Sequence, residues 1–439
     1  MSEKIKKLIK AIAGAVFIAA VCAGIWYGLR VLLTDDTGSY TRVTLHEFYS
    51  QDNIDVLFLG ASHCYRGIAP EITDEKLGLN TFNMGSSYQR IDTTYLLMKE
   101  AVELYDIDHI YVELSYNVAK KHAEFESDLT DTYIVTDYMK PSLRKAAYLL
   151  ERSGDGDYAN SFLVARRNWK KIFEPGYIKE LAEKKQSDAY KNYEYPDNDE
   201  ERYAGKGYVE SDVEIPEGSF KNRPDEQTIK LEEIDPEWDK TVLDMIKFCE
   251  KHKVALTFFS TPLTSFRLLC YDNYDDFIDK VNGLIKESGS STVEYLDFSL
   301  MKEEYWPDTS TLFKDNRHLN AKGAELFSSI FADYINGRLT YDELFHKDIR
   351  EKFASMEPGF YGTEYRENAD DTYYDCRLVI NREEETKSFV TFISDEGEEI
   401  ILKEFSSGTE FRIPMDLHGA CVIGVGTSEN DVQTYTTYY

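Results

Sequence analysis

Three residues could together activate a hydroxyl group. Ser62 lies in LFLGASHCYRG (57–67), directly after an apolar run, while Asp315 and His318 lie in DNRHLNAKGAELF (315–327). A serine hydroxyl attacks a carbonyl only when a base takes its proton, and the base works best when a carboxylate holds its ring. On a tight loop, a carboxylate three residues before a histidine can reach one imidazole nitrogen while the other points outward. Such a set would form an acyl-enzyme, which water or a sugar hydroxyl then resolves. A serine after a strand is also an ordinary turn residue, so the two segments carry weight only in combination. No GxSxG surrounds Ser62, which argues against the nucleophile elbow of the α/β-hydrolases.

These segments need a scaffold that brings positions 62 and 318 together. From residue 54 to about 336, short apolar runs alternate with amphipathic stretches: Ile54–Leu59, Thr81–Met84, Ile110–Leu114, Leu256–Phe259 and Val293–Leu296 read as buried strands. Asp235 and Pro236 mark a helix start, followed by Trp238, Val242, Met245, Ile246 and Cys249 at helical spacing. Asn320 is placed to cap another helix, with Ala324, Phe327, Phe331 and Tyr334 on one face. Alternation of this kind predicts an α/β three-layer sandwich around a central parallel sheet, with ligands at the carboxyl ends of its strands. Ser62, Gly85 and Asn117 each follow a predicted strand and would face one crevice.

Three regions flank or interrupt that scaffold. Residues 1–34 hold Lys4, Lys6, Lys7 and Lys10 before an uncharged run, Ala11–Leu29, with Trp26 and Tyr27 near its end. That length suits a membrane-spanning helix, and the lysines predict a cytoplasmic N-terminus with the body outside, so a single-pass protein of the cell membrane. A cleaved signal peptide is the other reading. Residues 35–337 would be the α/β domain, with an insertion at 118–234 that is either a lid or acceptor-binding element or a decorative surface segment. Residues 338–439 would be a helical link and a small β module, since runs such as CRLVI and FVTFI are punctuated by DEG and SSG.

Charge and cysteines exclude some functions. The first 34 residues carry net charge plus 4, leaving minus 34 on the rest of a chain whose total is minus 30. Nucleic acid would be repelled, so no nucleic-acid partner is expected. The six cysteines lack CxxC spacing, which argues against zinc, and no cofactor is implied. Cys376 and Cys421 share the last segment and either pair or stay reduced. Near the serine, His63 and Cys64 either bind metal or act as a thiol, or else pack the turn; Arg66 either binds a substrate carboxylate or makes a salt bridge. ARRNWKK (165–171) either meets phosphate groups or is a solvated helix face.

On these motifs the chain resembles the SGNH, or GDSL-like, hydrolase superfamily over roughly residues 54–336, the insertion aside. The resemblance implies an SGNH/flavodoxin-like fold in which Ser62 is nucleophile, His318 general base and Asp315 its orienter. It also implies an oxyanion hole made from the Ser62 and Gly85 amides and the Asn117 side chain. GASH stands where the family has GDSL, and LSYN where it has GxND. Among anchored members, the layout is similar to the DltD-type D-alanyl transfer proteins of teichoic acid biosynthesis. That likeness implies a serine esterase or O-acyltransferase acting on envelope polysaccharide or teichoic acid, with a membrane acyl-transfer partner. The competing expectation is a non-catalytic, membrane-anchored glycan-binding or assembly protein that keeps the fold.

Overall fold

The computed structural model describes residues 2–120, 129–154, 158–196, 198, 200–216, 219–222, 229–271, 273–368 and 372–438. The chain divides into two compact units. One joins Met1–Tyr49 to Glu124–Asp197, and the other joins Ser50–Ala123 to Asn198–Tyr439.

The first unit is helical. Its opening helix, Glu3–Leu33, starts with Ser2 accepting from the Ile5 N–H and carries Arg30 in its last turn. Among the described residues it is the one helix long and apolar enough to cross a membrane. Its C-terminal carbonyls, which a helix leaves unpaired, are taken up by later residues: Asn168 Nδ2 donates to Leu33 O (2.8 Å) and Lys185 Nζ to Val31 O (2.8 Å). Arg42 is sandwiched between the rings of Tyr190 and Tyr193, at 3.8 and 4.0 Å. The division between the units falls within the expected insertion 118–234. The described residues within 124–197 group with the N-terminal segment and those within 198–234 with the body, whereas 121–128, 155–157, 197, 199, 217–218 and 223–228 lie outside the described residues.

The second unit contains the predicted parallel sheet. Its strands are β1 (Val56–Leu59), β2 (Thr81–Asn83), β3 (His109–Glu113), then β7 (Ala255–Ser260) and β8 (Glu294–Asp297), in the order β2-β1-β3-β7-β8. All neighbours are parallel, with Val56 opposite both Thr81 and His109. Every β1 side chain is buried, as a strand covered on both faces requires. Helices Pro70–Leu77 and Ala321–Ile335 pack together, and Ile91–Leu104, Pro236–His252 and Tyr274–Ser288 form a second group. The aromatic core centres on Phe331, with ring centroids 4.6 Å from Phe298, 5.1 Å from Phe259 and 5.7 Å from Phe58. The strand order reverses between β1 and β3, and this is where sheets of this class leave a crevice at the carboxyl end.

Residues between β3 and β7 supply β4 (Arg202–Gly205) and β5 (Tyr208–Glu210), a hairpin, and β6 (Phe220–Asn222). The C-terminal module adds β9 (Phe360–Glu367), β10 (Tyr373–Ile380), β11 (Lys387–Ser394), β12 (Glu399–Ser406), β13 (Glu410–Pro414), β14 (Gly419–Ser428) and β15 (Asp431–Tyr438). They form two four-stranded sheets, β13-β10-β9-β6 and β12-β11-β14-β15. β6 runs parallel to β9, so the module takes one edge strand from outside the expected 338–439 boundary. Leu378, Val390, Phe392, Phe411, Ile413 and Ile423 fill its core. Cys376 and Cys421 sit in that core as buried thiols, and no disulfide joins them.

Candidate active site

The turn after β1 is built by close approach. A Cβ at Gly60 would lie 2.5 Å from Glu113 Cβ and 2.9 Å from Cys64 Cβ, so only glycine lets β1 turn here. The Ala61 N–H donates to Glu113 Oε2 at 3.0 Å, and the chain enters the short helix Ser62–Gly67 at once. Ser62 is thereby fixed at the carboxyl end of β1, at the switch point. Its own amide, in the first helical turn, donates to no backbone acceptor among the described residues.

The opposing loop is organised by its own aspartate. Asp315 Oδ1 accepts from the amides of Arg317 (2.8 Å) and His318 (2.9 Å), and the Lys314 N–H donates to His318 O at 2.9 Å. Asn320 locks the far side: its Nδ2 donates to Thr311 O (2.8 Å) and its Oδ1 caps the next helix at the Gly323 N–H (3.0 Å).

These two segments meet. His318 Nε2 lies 2.8 Å from Ser62 Oγ, and His318 Nδ1 lies 2.8 Å from Asp315 Oδ2 and 3.1 Å from Oδ1. Because Asp315 can only accept when ionised, Nδ1 carries the proton and Nε2 is left to accept from the serine hydroxyl. Partial burial opposes the Asp315 charge, but the His318 ring and the two amides outweigh it and hold the carboxyl well below the usual carboxylate range. The aspartate therefore stays ionised, as the role of orienter requires. The three residues predicted from their types and spacing form a connected serine, histidine and aspartate relay.

Behind the relay lies a buried pair. The His63 ring stacks against the His318 ring, centroids 5.0 Å apart, and His63 Nδ1 is 3.7 Å from Glu113 Oε1. Burial first, then the charges of His318 and Arg317, press His63 well below 6.5. Burial raises the Glu113 carboxyl from 4.5 to about 7, although the Ala61 N–H and the Ser115 hydroxyl favour its ionised form. Both groups are thus driven toward neutrality. A neutral His63 places no positive charge beside the His318 ring. Cys64 is buried, its thiol pushed up by burial and by Glu113, and its Sγ contacts Asn83 Oδ1 at 3.3 Å. His63 and Cys64 therefore pack the turn rather than serving as metal ligand or nucleophile.

The other expected residues divide. Gly85 packs against the helix Ser62–Gly67, where a Cβ would lie 2.8 Å from Tyr65 N. Its amide donates to Asn83 Oδ1 at 3.0 Å, whereas the resemblance assigned it to the oxyanion. The reason is local: Asn83, buried at the end of β2, uses its Nδ2 on Cys64 O and Ile68 O and turns its oxygen back to Gly85. Asn117 lines a small pocket with His63, Glu113 and Ser115, and its Oδ1 accepts from Tyr271 OH (3.3 Å), which itself accepts from Arg267 Nε (3.1 Å). Arg66 takes its salt-bridge alternative. It is buried and pairs with Glu201, whose Oε1 also accepts from Lys314 Nζ at 2.8 Å. Glu201 thus ties the Ser62 helix to the residue beside Asp315.

Sequence reasoning passed over Glu113 and Glu201. A carboxylate at the buried end of the apolar run IYVEL was a readable signal for Glu113. Glu201 had none, since its two partners are distant in sequence.

No family model matches the chain, and no curated relative matches it. Among solved structures it is similar to a GDSL-like lipase from Bacteroides thetaiotaomicron, with 9% identity and a TM-score of 0.31 over 67% of this chain and 96% of that one. It is also similar to the acetyl xylan esterase AlAXEase (11% identity, TM-score 0.30, covering 65% and 100%) and to a lipase/acylhydrolase from Enterococcus faecalis (10%, 0.29, 65% and 98%). At this distance, what the site does rests on its own geometry.

Proposed function

We propose that this chain is an SGNH-type serine esterase or O-acyltransferase acting on acyl groups of a cell-envelope glycan or teichoic acid. The observation that carries the reading is the hydrogen-bonded line Ser62, His318, Asp315 at the carboxyl end of β1. In the first half-reaction, Ser62 Oγ attacks an ester carbonyl as His318 Nε2 takes its proton, and Asp315 stabilises the imidazolium at Nδ1. The tetrahedral oxyanion faces the Ser62 amide, with Asn117 as the side-chain donor. Collapse expels the glycan alkoxide, which takes the proton from His318 and leaves an acyl-serine. Water or an acceptor hydroxyl then repeats the cycle in reverse, and the choice between them separates hydrolase from transferase. The membrane side of the reading, with the N-terminus in the cytoplasm and the body outside, draws on the apolar helix Glu3–Leu33 and its basic flank.

A second reading, an anchored glycan-binding protein without turnover, draws on the Gly85 amide being engaged by Asn83, which leaves the oxyanion with one donor fewer. The two separate in one assay. Purified full-length protein in detergent is offered p-nitrophenyl acetate and O-acetylated envelope glycan. Turnover abolished by Ser62→Ala and by His318→Ala supports catalysis; equal turnover by the double variant refutes it. Glycan binding indifferent to Ser62→Ala, without turnover, favours the second reading.

A further inference from the structure

The helical unit carries a surface that the active site does not use. Its short segment Trp169–Phe173 follows the helix Val164–Arg167 and exposes Trp169 (47%), Ile172 (46%) and Phe173 (72%), while Phe162 (39%) and Leu163 (38%), just before that helix, are exposed as well. Trp169 and Phe173 form an edge-to-face pair, centroids 6.0 Å apart. Large apolar side chains clustered on an exposed surface mark a contact with something apolar. Arg166, Lys170 and Lys171 are interleaved with them, in a body that is otherwise strongly acidic.

The place of this surface names its partner. Asn168, the residue before Trp169, donates to Leu33 O at 2.8 Å, and the Arg30 guanidinium donates to Asp137 O at 3.0 Å. The opening helix is exposed up to Ile25, half covered at Trp26, and buried at Leu33. Its uncharged run ends at Leu29, and Leu33 lies four residues further, about 6 Å along the axis. That is the depth of the headgroup region, where interfacial segments seat their apolar faces about 5–10 Å into the acyl boundary. We infer that residues 162–173 form a collar around the exit of the membrane helix, with Trp169, Ile172 and Phe173 dipping into the bilayer and Lys170 and Lys171 meeting anionic headgroups. The inference rests on the reading of Glu3–Leu33 as a retained membrane helix. A one-point anchor lets a body swing, whereas a collar fixes the helical unit to the surface.

The test uses full-length protein reconstituted in vesicles, with fluorescence quenching by lipids brominated just below the headgroup. Trp26 would be quenched in any case, so the background is Trp26→Phe; Trp238 and Trp306 are buried. Flotation of the vesicles reports the anchor, and quenching reports the collar. Expected is quenching of the Trp26→Phe protein equal to the share of one tryptophan among the remaining three, lost in Trp26→Phe/Trp169→Phe. Phosphatidylglycerol should deepen it relative to phosphatidylcholine, and Lys170→Glu/Lys171→Glu should remove that difference. Protein that floats but shows equal quenching with and without Trp169 overturns the collar alone. Protein that does not float overturns the anchor reading and the collar with it.

Discussion

Replacing Glu113 by glutamine isolates the energetic cost of a carboxyl held behind the Ser62 turn. Burial raises that carboxyl from 4.5 in the ordinary case to about 7. The unfolded chain therefore releases the proton before the folded one does. Stability linked to the protonated group is fully present below pH 4.5 and is lost as pH rises through 7. The difference between 4.5 and about 7 corresponds to at most on the order of 3 kcal/mol. Glutamine keeps a carbonyl oxygen for the Ala61 N–H and does not titrate. The variant should match wild type near pH 4 and exceed it by about 1–3 kcal/mol near pH 8, measured by urea unfolding. Asp297, raised mainly by burial to about 6, titrates in the same window, but it is present in both proteins and cancels in the difference. A difference that does not change with pH, or one that grows toward acid, would refute the assignment of Glu113 as a destabilised buried acid.

Other substitutions probe the site from different sides. Asp315→Asn should fold and keep Ser62 in place, yet lower ester turnover by about 10³–10⁴-fold, because an amide no longer fixes the Nδ1 tautomer; near-normal turnover would remove Asp315 from the relay. Glu201→Gln weakens the ties to Arg66 and Lys314 together, so thermal unfolding should show a loss of about 1–3 kcal/mol, and turnover should fall through kcat more than KM. Gly60→Ala should cost about 1–3 kcal/mol or prevent folding, since its Cβ meets Glu113 Cβ at 2.5 Å; circular dichroism reads this directly.

The relay was legible because each half is local. Ser62 sits one tight turn after an apolar run, and Asp315 and His318 share one loop, so residue type and spacing nearly dictate the geometry. The central strands were legible for the same reason: β1 was expected at Ile54–Leu59 and runs Val56–Leu59, an apolar stretch buried on both sides. How the expected insertion divides between the two units was not legible, because its two parts find their partners far away. Asn168 and Lys185 reach Leu33 and Val31, while Phe220 pairs beside Gly362, and nothing near these residues in sequence announces it. The engagement of the Gly85 amide was hidden for a subtler reason. Its acceptor is the Asn83 side chain, whose orientation is set by two carbonyls of the helix segment after Ser62. Cys376 and Cys421 could not be resolved from sequence either; they lie on strands of different sheets and share one buried core.

Whether Ser62 is an activated nucleophile is the point on which the rest depends. Intact-mass spectrometry of full-length protein after exposure to a fluorophosphonate measures it, with peptide mapping of the modified residue. Wild type should gain one adduct, on Ser62, which is absent in Ser62→Ala and forms far more slowly in His318→Ala. An unmodified wild-type protein, or an adduct that persists in Ser62→Ala, would contradict the account.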